Sequence, residues 1–146
     1  MSTVRDVFEI AMALLDELSG ADGAAVTKEN SDYLARAPYI ITQMCGELFV
    51  HSDGFAAAAD GTRPEAPFVR DIDDVIGLDE FLCRSVLPCG LAARFVIDEN
   101  PPVAAYYERK YLELLARYGS ARAGRFESIV NVYGGSDALT VGGTDA

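Results

Sequence analysis

Histidine, cysteine and tryptophan, on which many functional sites depend, are rare in this sequence. It has one histidine, three cysteines and no tryptophan among 146 residues. Because His51 stands alone, a Cys/His zinc site or a histidine-based proton relay has too few groups to form. Cys45, Cys83 and Cys89 are spread singly through apolar stretches and form no CxxC pair, so the pattern predicts three buried, reduced thiols.

Long apolar runs are also missing. No stretch approaches the roughly 20 residues that a helix needs to cross a bilayer. The first residues include the acid Asp6 and no small-residue cleavage site. The sequence therefore predicts a protein without a membrane span or a signal peptide, with the cytosol as its default compartment.

Positive charge is scarce as well. The chain has 12 bases against 23 acids, a formal net charge of −11. The whole excess lies in residues 1–100, with 18 acids and 7 bases, whereas residues 101–146 have 5 of each. An acidic surface repels phosphate, so no specific nucleic-acid partner is expected. The asymmetry has two interpretations: attraction between unlike ends in a head-to-tail assembly, or solubility alone.

Apolar residues are plentiful and make up half of the chain, enough for one domain with a core. They recur at three- and four-residue steps, which predicts a mainly α fold: a compact bundle of four to five helices over residues 1–119. The first helix is expected to start after a Thr3 cap and to end at Ser19-Gly20. The last is expected to start at Asn100-Pro101 and to end at Gly119.

Two of these helices contain proline. Pro38 lies in the second helix, for which Thr27 is the expected cap, and Pro88 lies in the third, for which Asp79 is the expected cap. Proline removes a backbone donor and clashes with the preceding turn, so both helices are expected to bend or break.

Two segments lack the helical period. Residues 50–70 contain two prolines and two glycines, which predicts a long central loop. Residues 120–146 predict an extended C-terminal arm, in which 120–125 form a basic tether and 128–133 and 138–141 are strand-like.

The patterns that suggest chemistry fail on inspection. His51, Ser52 and Asp53 are adjacent along the backbone, so they cannot converge as a catalytic triad. The acidic run 71–80 does not match a calcium loop, because glycine and glutamate are missing from its sixth and twelfth positions. No catalytic residue, cofactor or metal site is predicted, and the chain is not expected to be an enzyme.

The last helix carries four tyrosines. Tyr107, Tyr111 and Tyr118 share one face, and Tyr106 points elsewhere. One interpretation is that another subunit covers part of this surface. The alternative is a small helical regulatory or ligand-binding domain, in which the tyrosine-rich helix lines a pocket.

Six stretches of the sequence resemble those of a known family: Val4-Arg5-Asp6-Val7-Phe8, Val86-Leu87-Pro88-Cys89-Gly90-Leu91-Ala92-Ala93, Asp98-Glu99-Asn100, Ala104-Ala105-Tyr106-Tyr107, Tyr111-Leu112-Glu113-Leu114-Leu115 and Val132-Tyr133-Gly134-Gly135. Through them the chain resembles a family of small structural proteins encoded by tailed phages and prophages, of the head–tail adaptor type. The resemblance touches most of the chain except the 50–70 loop, and its motifs concern packing and turns.

This resemblance implies a virion protein of the neck, present in the host cytoplasm during assembly. Such proteins form homo-oligomeric rings, typically of twelve subunits, between the portal protein and the tail or neck proteins. The loop and the arm are then the expected contact regions. The residues expected to make the contacts are Phe55, Arg63 and Phe68 in the loop, and Phe126, Ile129, Val132 and Tyr133 in the arm.

Overall fold

The computed structural model describes residues 1–15, 30–55 and 59–121. Within these ranges the chain forms four α-helices and no strand: α1 (Val4–Leu14), α2 (Ser31–Leu48), α3 (Leu87–Val96) and α4 (Pro101–Ala121). A 3-10 turn over Phe49–His51 follows α2, and a π-helical segment over Leu82–Val86 leads into α3. The mainly α fold and the helical bundle are confirmed, whereas the expected C-terminal arm lies almost wholly outside the described residues.

Helix α1 begins as its sequence predicts. The Thr3 hydroxyl accepts a hydrogen bond from the Asp6 amide at 3.3 Å, and the Asp6 carboxylate accepts one from the Thr3 amide at 2.8 Å. This reciprocal pair is a capping box, which satisfies two amides that the first turn would otherwise leave unpaired. The buried face consists of Val4, Val7, Phe8, Ala11 and Met12. The expected end at Ser19-Gly20 lies outside the described residues.

At Pro38 the sequence predicts a bend or a break. Helix α2 runs as a single helix from Ser31 to Leu48 through Pro38, so it does not break there. Pro38 is buried in the core, where its packing offsets the one hydrogen bond that the ring removes. Asn30 occupies the cap position, and Thr27 lies outside the described residues.

The chain accommodates Pro88 differently. The amide of Leu87 bonds to the carbonyl of Leu82, five residues back, which defines the π turn just before the proline. A π turn is a common way for a helix to absorb a disrupted hydrogen-bond ladder. Pro88 then falls in the first turn of α3, where a missing amide is tolerated.

Helix α4 has the predicted start but not the predicted end. The Asn100 side chain accepts a hydrogen bond from the Val103 amide at 3.4 Å, which confirms the cap. The helix continues through Gly119 to Ala121. A glycine that ends a helix typically has a positive φ. Among the described glycines only Gly61 has one, so Gly119 does not end α4.

The central irregular segment is longer than residues 50–70. No regular helix intervenes between His51 and the turn that begins at Glu80 in the described part of this region. Its second half is tied to the N-terminus, where the amides of Val4 and Arg5 bond to the carbonyls of Asp74 and Ile72 at 3.0 and 2.7 Å. The segment is therefore part of the fold and not only a link between helices.

Helix α3 lies at the centre of the core, and nearly all of its side chains are buried. The ring of Phe95 stacks on Tyr33 of α2, with centroids 4.8 Å apart, and meets Phe8 of α1 edge-on. At Gly90 there is no room for a side chain, because Met44 and Tyr111 close in from α2 and α4. One central helix thus fixes the positions of the other three.

Candidate functional site

A surface depression lies between α2 and the central segment. Its volume is about 580 Å³. We call it the aromatic groove; its lining residues are Tyr39, Thr42, Phe68, Val69, Arg70 and Asp71. Tyr39 is 77% exposed and Phe68 67% exposed, so two large aromatic side chains face solvent here. Exposed aromatic residues at this density are typical of protein-contact surfaces.

Hydrogen bonds hold the groove in shape. The Thr42 hydroxyl on α2 accepts from the Val69 amide at 3.1 Å and donates to the Val69 carbonyl at 2.8 Å. Val69 itself is buried, with 2% of its surface exposed. The segment is therefore anchored on both sides of its backbone directly beside Phe68.

A second anchor lies just after Phe68. The Asp74 carboxylate accepts hydrogen bonds from the amides of Arg70 and Asp71, at 2.7 and 2.9 Å. The bonds from the Asp71 and Arg70 amides hold the pKa of Asp74 below its usual value, since they favour the charged form. The groove is thus preformed, and a partner would not have to order it on binding.

Charge around the groove is mixed but mainly negative. The Arg70 guanidinium lies over the Phe68 ring, 5.3 Å from its centroid. Asp73 pairs with Arg5 of α1 at 2.8 Å, and this hydrogen bond lowers the pKa of Asp73. Asp71 takes part in none of the ion pairs found among the described residues. Residues 59–75 together hold five acids and two bases.

The predicted loop contacts do not converge on one place. Phe68 lines the groove, whereas Phe55 and Arg63 do not. Phe55 is 39% exposed and packs edge-on against Phe49, with ring centroids 5.7 Å apart. Arg63 is exposed. Tyr39 lines the groove together with Phe68, although it is not among the predicted contact residues. The signal in the sequence that points to it is an aromatic residue on the polar face of an amphipathic helix.

Asp79 does not cap its helix with its side chain as expected. Its carboxylate accepts hydrogen bonds from the Asp53 amide at 2.9 Å, from the Ser52 hydroxyl at 3.3 Å and from the Tyr118 hydroxyl. The ring of Tyr118 stacks on Phe81, with centroids 5.2 Å apart. We call these five residues the Asp79 junction. It fastens the C-terminal end of α4 to the start of the central segment.

The tyrosine-rich face of α4 packs on the chain's own core. Tyr111 is 3% exposed, and its hydroxyl donates to the Glu47 carboxylate at 3.3 Å. The Tyr107 hydroxyl donates to the Leu14 carbonyl at 2.5 Å. Intrachain contacts therefore cover much of the surface that the sequence suggests for another subunit. Tyr106, on a different face, is 57% exposed.

A second cleft of about 270 Å³ lies where α3 meets α4, and no tyrosine lines it. Its lining consists of Ala93, Arg94, Ile97, Pro101, Ala104, Ala105 and Glu108. The two charged groups at its rim face each other, with Arg94 3.9 Å from Glu108, so it carries little net charge.

The groups that suggest chemistry are engaged elsewhere or isolated. His51 is exposed, while Ser52 is buried and bonded to Asp79. Cys45, Cys83 and Cys89 are buried and free, as predicted. No cluster of three or more histidine, cysteine or acidic side chains suitable for a metal ion occurs in the described ranges.

The arm residues Phe126, Ile129, Val132 and Tyr133 lie outside the described residues. Of the helices that are described, none combines the length and the apolar character needed to cross a membrane. Comparisons with family models, curated proteins and solved structures find no match to this chain.

Proposed function

We propose that this chain is a structural subunit of a tailed-phage particle, of the head–tail adaptor type. Copies of it assemble into a ring at the neck, typically of twelve subunits in the family that it resembles, and link the portal protein to tail or neck proteins through loop and arm contacts. The observation that carries the proposal is the aromatic groove. Its two exposed aromatic rings are Tyr39 on α2 and Phe68 on a segment pinned by several hydrogen bonds.

Exposed aromatic rings in ordered positions favour docking in free energy. Large aromatic side chains in ordered positions contribute much contact area and lose little conformational entropy on binding. A soluble domain gains nothing for its own stability by holding such rings in water. Protein contact is the use that best fits this arrangement, and a mainly helical body without a cluster of catalytic groups in its described part fits a structural subunit.

The test compares a groove variant with a matched surface variant. The double substitution Phe68→Ser with Tyr39→Ser removes both exposed rings of the groove, whereas Tyr106→Ser removes an exposed ring from α4. Each protein is co-expressed with its portal and tail proteins, and particles or rings are purified and examined by light scattering and electron microscopy. Circular dichroism reports whether each variant is folded.

The groove variant is expected to fold normally and to lose most of its incorporation. Truncating contact residues of this kind typically costs about 1–2 kcal/mol each, so affinity should fall roughly thirty- to a thousand-fold for the pair. The Tyr106→Ser control should be incorporated normally. Equal incorporation of both variants, or no ring with any partner, would contradict the proposal.

Deleting residues 126–146 tests the arm separately. We expect the shortened protein to keep its helical circular-dichroism spectrum and to be absent from assembled particles. Normal assembly of the shortened protein would remove the arm from the proposed contacts.

A further inference from the structure

We propose that the aromatic groove is the docking site for the C-terminal segment of a second copy of this chain. The occupant is the stretch 122–133, with Arg122 and Arg125 over the acidic edge of the groove and Phe126 and Ile129 against Tyr39 and Phe68. This inference rests on the proposed ring, because it names the contact that joins one subunit to the next.

Charge complementarity favours this occupant. Residues 122–133 contain Arg122 and Arg125 against one acid, Glu127, in a chain whose net charge is −11. The lining of the groove holds one base and one acid, Arg70 and Asp71, and Asp71 has no ion pair within the described ranges. Residues 59–75 carry five acids against two bases. In the cleft between α3 and α4, by contrast, Arg94 and Glu108 pair with each other. A net positive segment therefore fits the groove better than the cleft.

The volume of the groove also fits the proposed occupant. The groove, at about 580 Å³, is twice the volume of the other cleft, at about 270 Å³. Clefts of roughly 300–1,000 Å³ are those that enclose drug-sized groups, and a pair of neighbouring apolar side chains is of this size. Residues 126–133 supply such side chains, namely Phe126, Ile129, Val130, Val132 and Tyr133.

The length of the C-terminal segment sets how far it can reach. Helix α4 ends at Ala121, and 25 residues follow it in a chain of 146. The stretch 122–133 spans at most about 40 Å when extended. A compact body of this size is about 35 Å across. A segment that follows Ala121 is therefore long enough to reach a neighbouring subunit.

The geometry of such a contact fits a ring. Each subunit offers its C-terminal segment to one neighbour and its groove to the other, so donor and acceptor surfaces differ. Contacts of this head-to-tail type close into rings when the rotation between subunits divides a full turn.

The experiment uses cross-linking of full-length chains. One sample carries Gln43→Cys, an exposed position on α2 one turn from Tyr39, and the other Asn131→Cys, so Tyr39, Phe68 and the apolar residues of the segment stay intact. The native thiols are buried and react slowly. The two proteins are mixed in equal amounts, treated with a short bismaleimide, and analysed on a denaturing gel and by mass spectrometry. Tyr106→Cys replaces Gln43→Cys in the control mixture.

The mixture is expected to give a linked dimer of the two variants, roughly tenfold more than the control, because docking raises the local thiol concentration to the millimolar range. Adding Arg122→Glu and Arg125→Glu should lower the yield about three- to tenfold, as should high salt, whereas the two Arg→Lys changes should preserve it.

Two results would overturn the inference. One is a yield no higher than that of the Tyr106→Cys control. The other concerns a single chain that carries both cysteines. If its product is an internally linked monomer at all protein concentrations, the segment occupies the groove of its own chain. Light scattering of the same samples with portal protein separates the two proposals. Rings without the cross-link refute only the groove contact, and absence of rings refutes the adaptor function.

Discussion

Replacing Gly90 with alanine tests the packing on which the whole bundle depends. Gly90 lies inside α3, where α2 and α4 approach most closely. A methyl group built at this position overlaps the end of the Met44 side chain and stands 2.9 Å from the Tyr111 ring and 3.0 Å from the Arg94 guanidinium. Met44 is fully buried, so its side chain has little room to move away.

Two effects of opposite sign decide the magnitude. Alanine is a better helix former than glycine by about 0.5–1 kcal/mol. Overpacking a dense core costs about 1–3 kcal/mol. The free energy of unfolding of Gly90→Ala should therefore fall by about 0.5–2 kcal/mol. Gly46→Ala is the matched control, since its added methyl group has no neighbour within 4 Å in α2, and it should gain about 0.5–1 kcal/mol.

Thermal or urea unfolding followed by circular dichroism measures both variants. For a domain of this size, 1 kcal/mol corresponds to a shift of roughly 3–6 °C in Tm. The two variants should therefore shift in opposite directions. A Gly90→Ala protein as stable as Gly46→Ala would refute the close approach of the three helices. The cost of Gly90→Ala should also shrink when Met44→Ala removes the overlapping side chain.

Two further predictions concern buried ionisable groups. Burial raises the pKa of the Cys45 thiol to about 12 and that of Cys83 to about 11, so both should react with a thiol reagent at pH 8 only when the protein unfolds; rapid labelling of the folded protein would contradict their burial. Burial, and next the charge of Glu47, raise the pKa of Tyr111 to about 12, against about 10 in the unfolded chain. The folded state then keeps a proton that the unfolded state loses, so stability should decline between about pH 10 and pH 12. This decline should be shallower in Tyr111→Phe when unfolding is measured across that range, and an identical slope in both proteins would refute it.

Local signals in the sequence predict the helices well. The Thr3 capping box and the Asn100 cap act within three residues of the chain, so they can be recognised without knowledge of the fold. The apolar spacing of α1 likewise predicts its buried face. The thiols follow from residue type alone, since isolated cysteines in apolar stretches usually belong to a core.

The sequence is less informative where distant parts of the chain decide the outcome. Pro38 keeps its place inside a helix because the core around it compensates for the lost bond, which no local rule reveals. Asp79 has the position of a cap, but its carboxylate is engaged by groups 26 and 39 residues away. Phe68 and Tyr39 line one groove because Thr42 holds the backbone of Val69.

The π turn before Pro88 also sets the angular phase of the third helix. A π turn contains one residue more than the α-helical path it replaces. Were residues 82–86 wound as a regular α-helix instead, the additional residue would turn everything before it by about 100° relative to α3, since each residue advances an α-helix by that angle. Asp79 and Phe81 would then face away from Tyr118, and the Asp79 junction would open. By absorbing one residue, the π turn thus keeps the central segment aligned with the end of α4, from which the C-terminal segment departs.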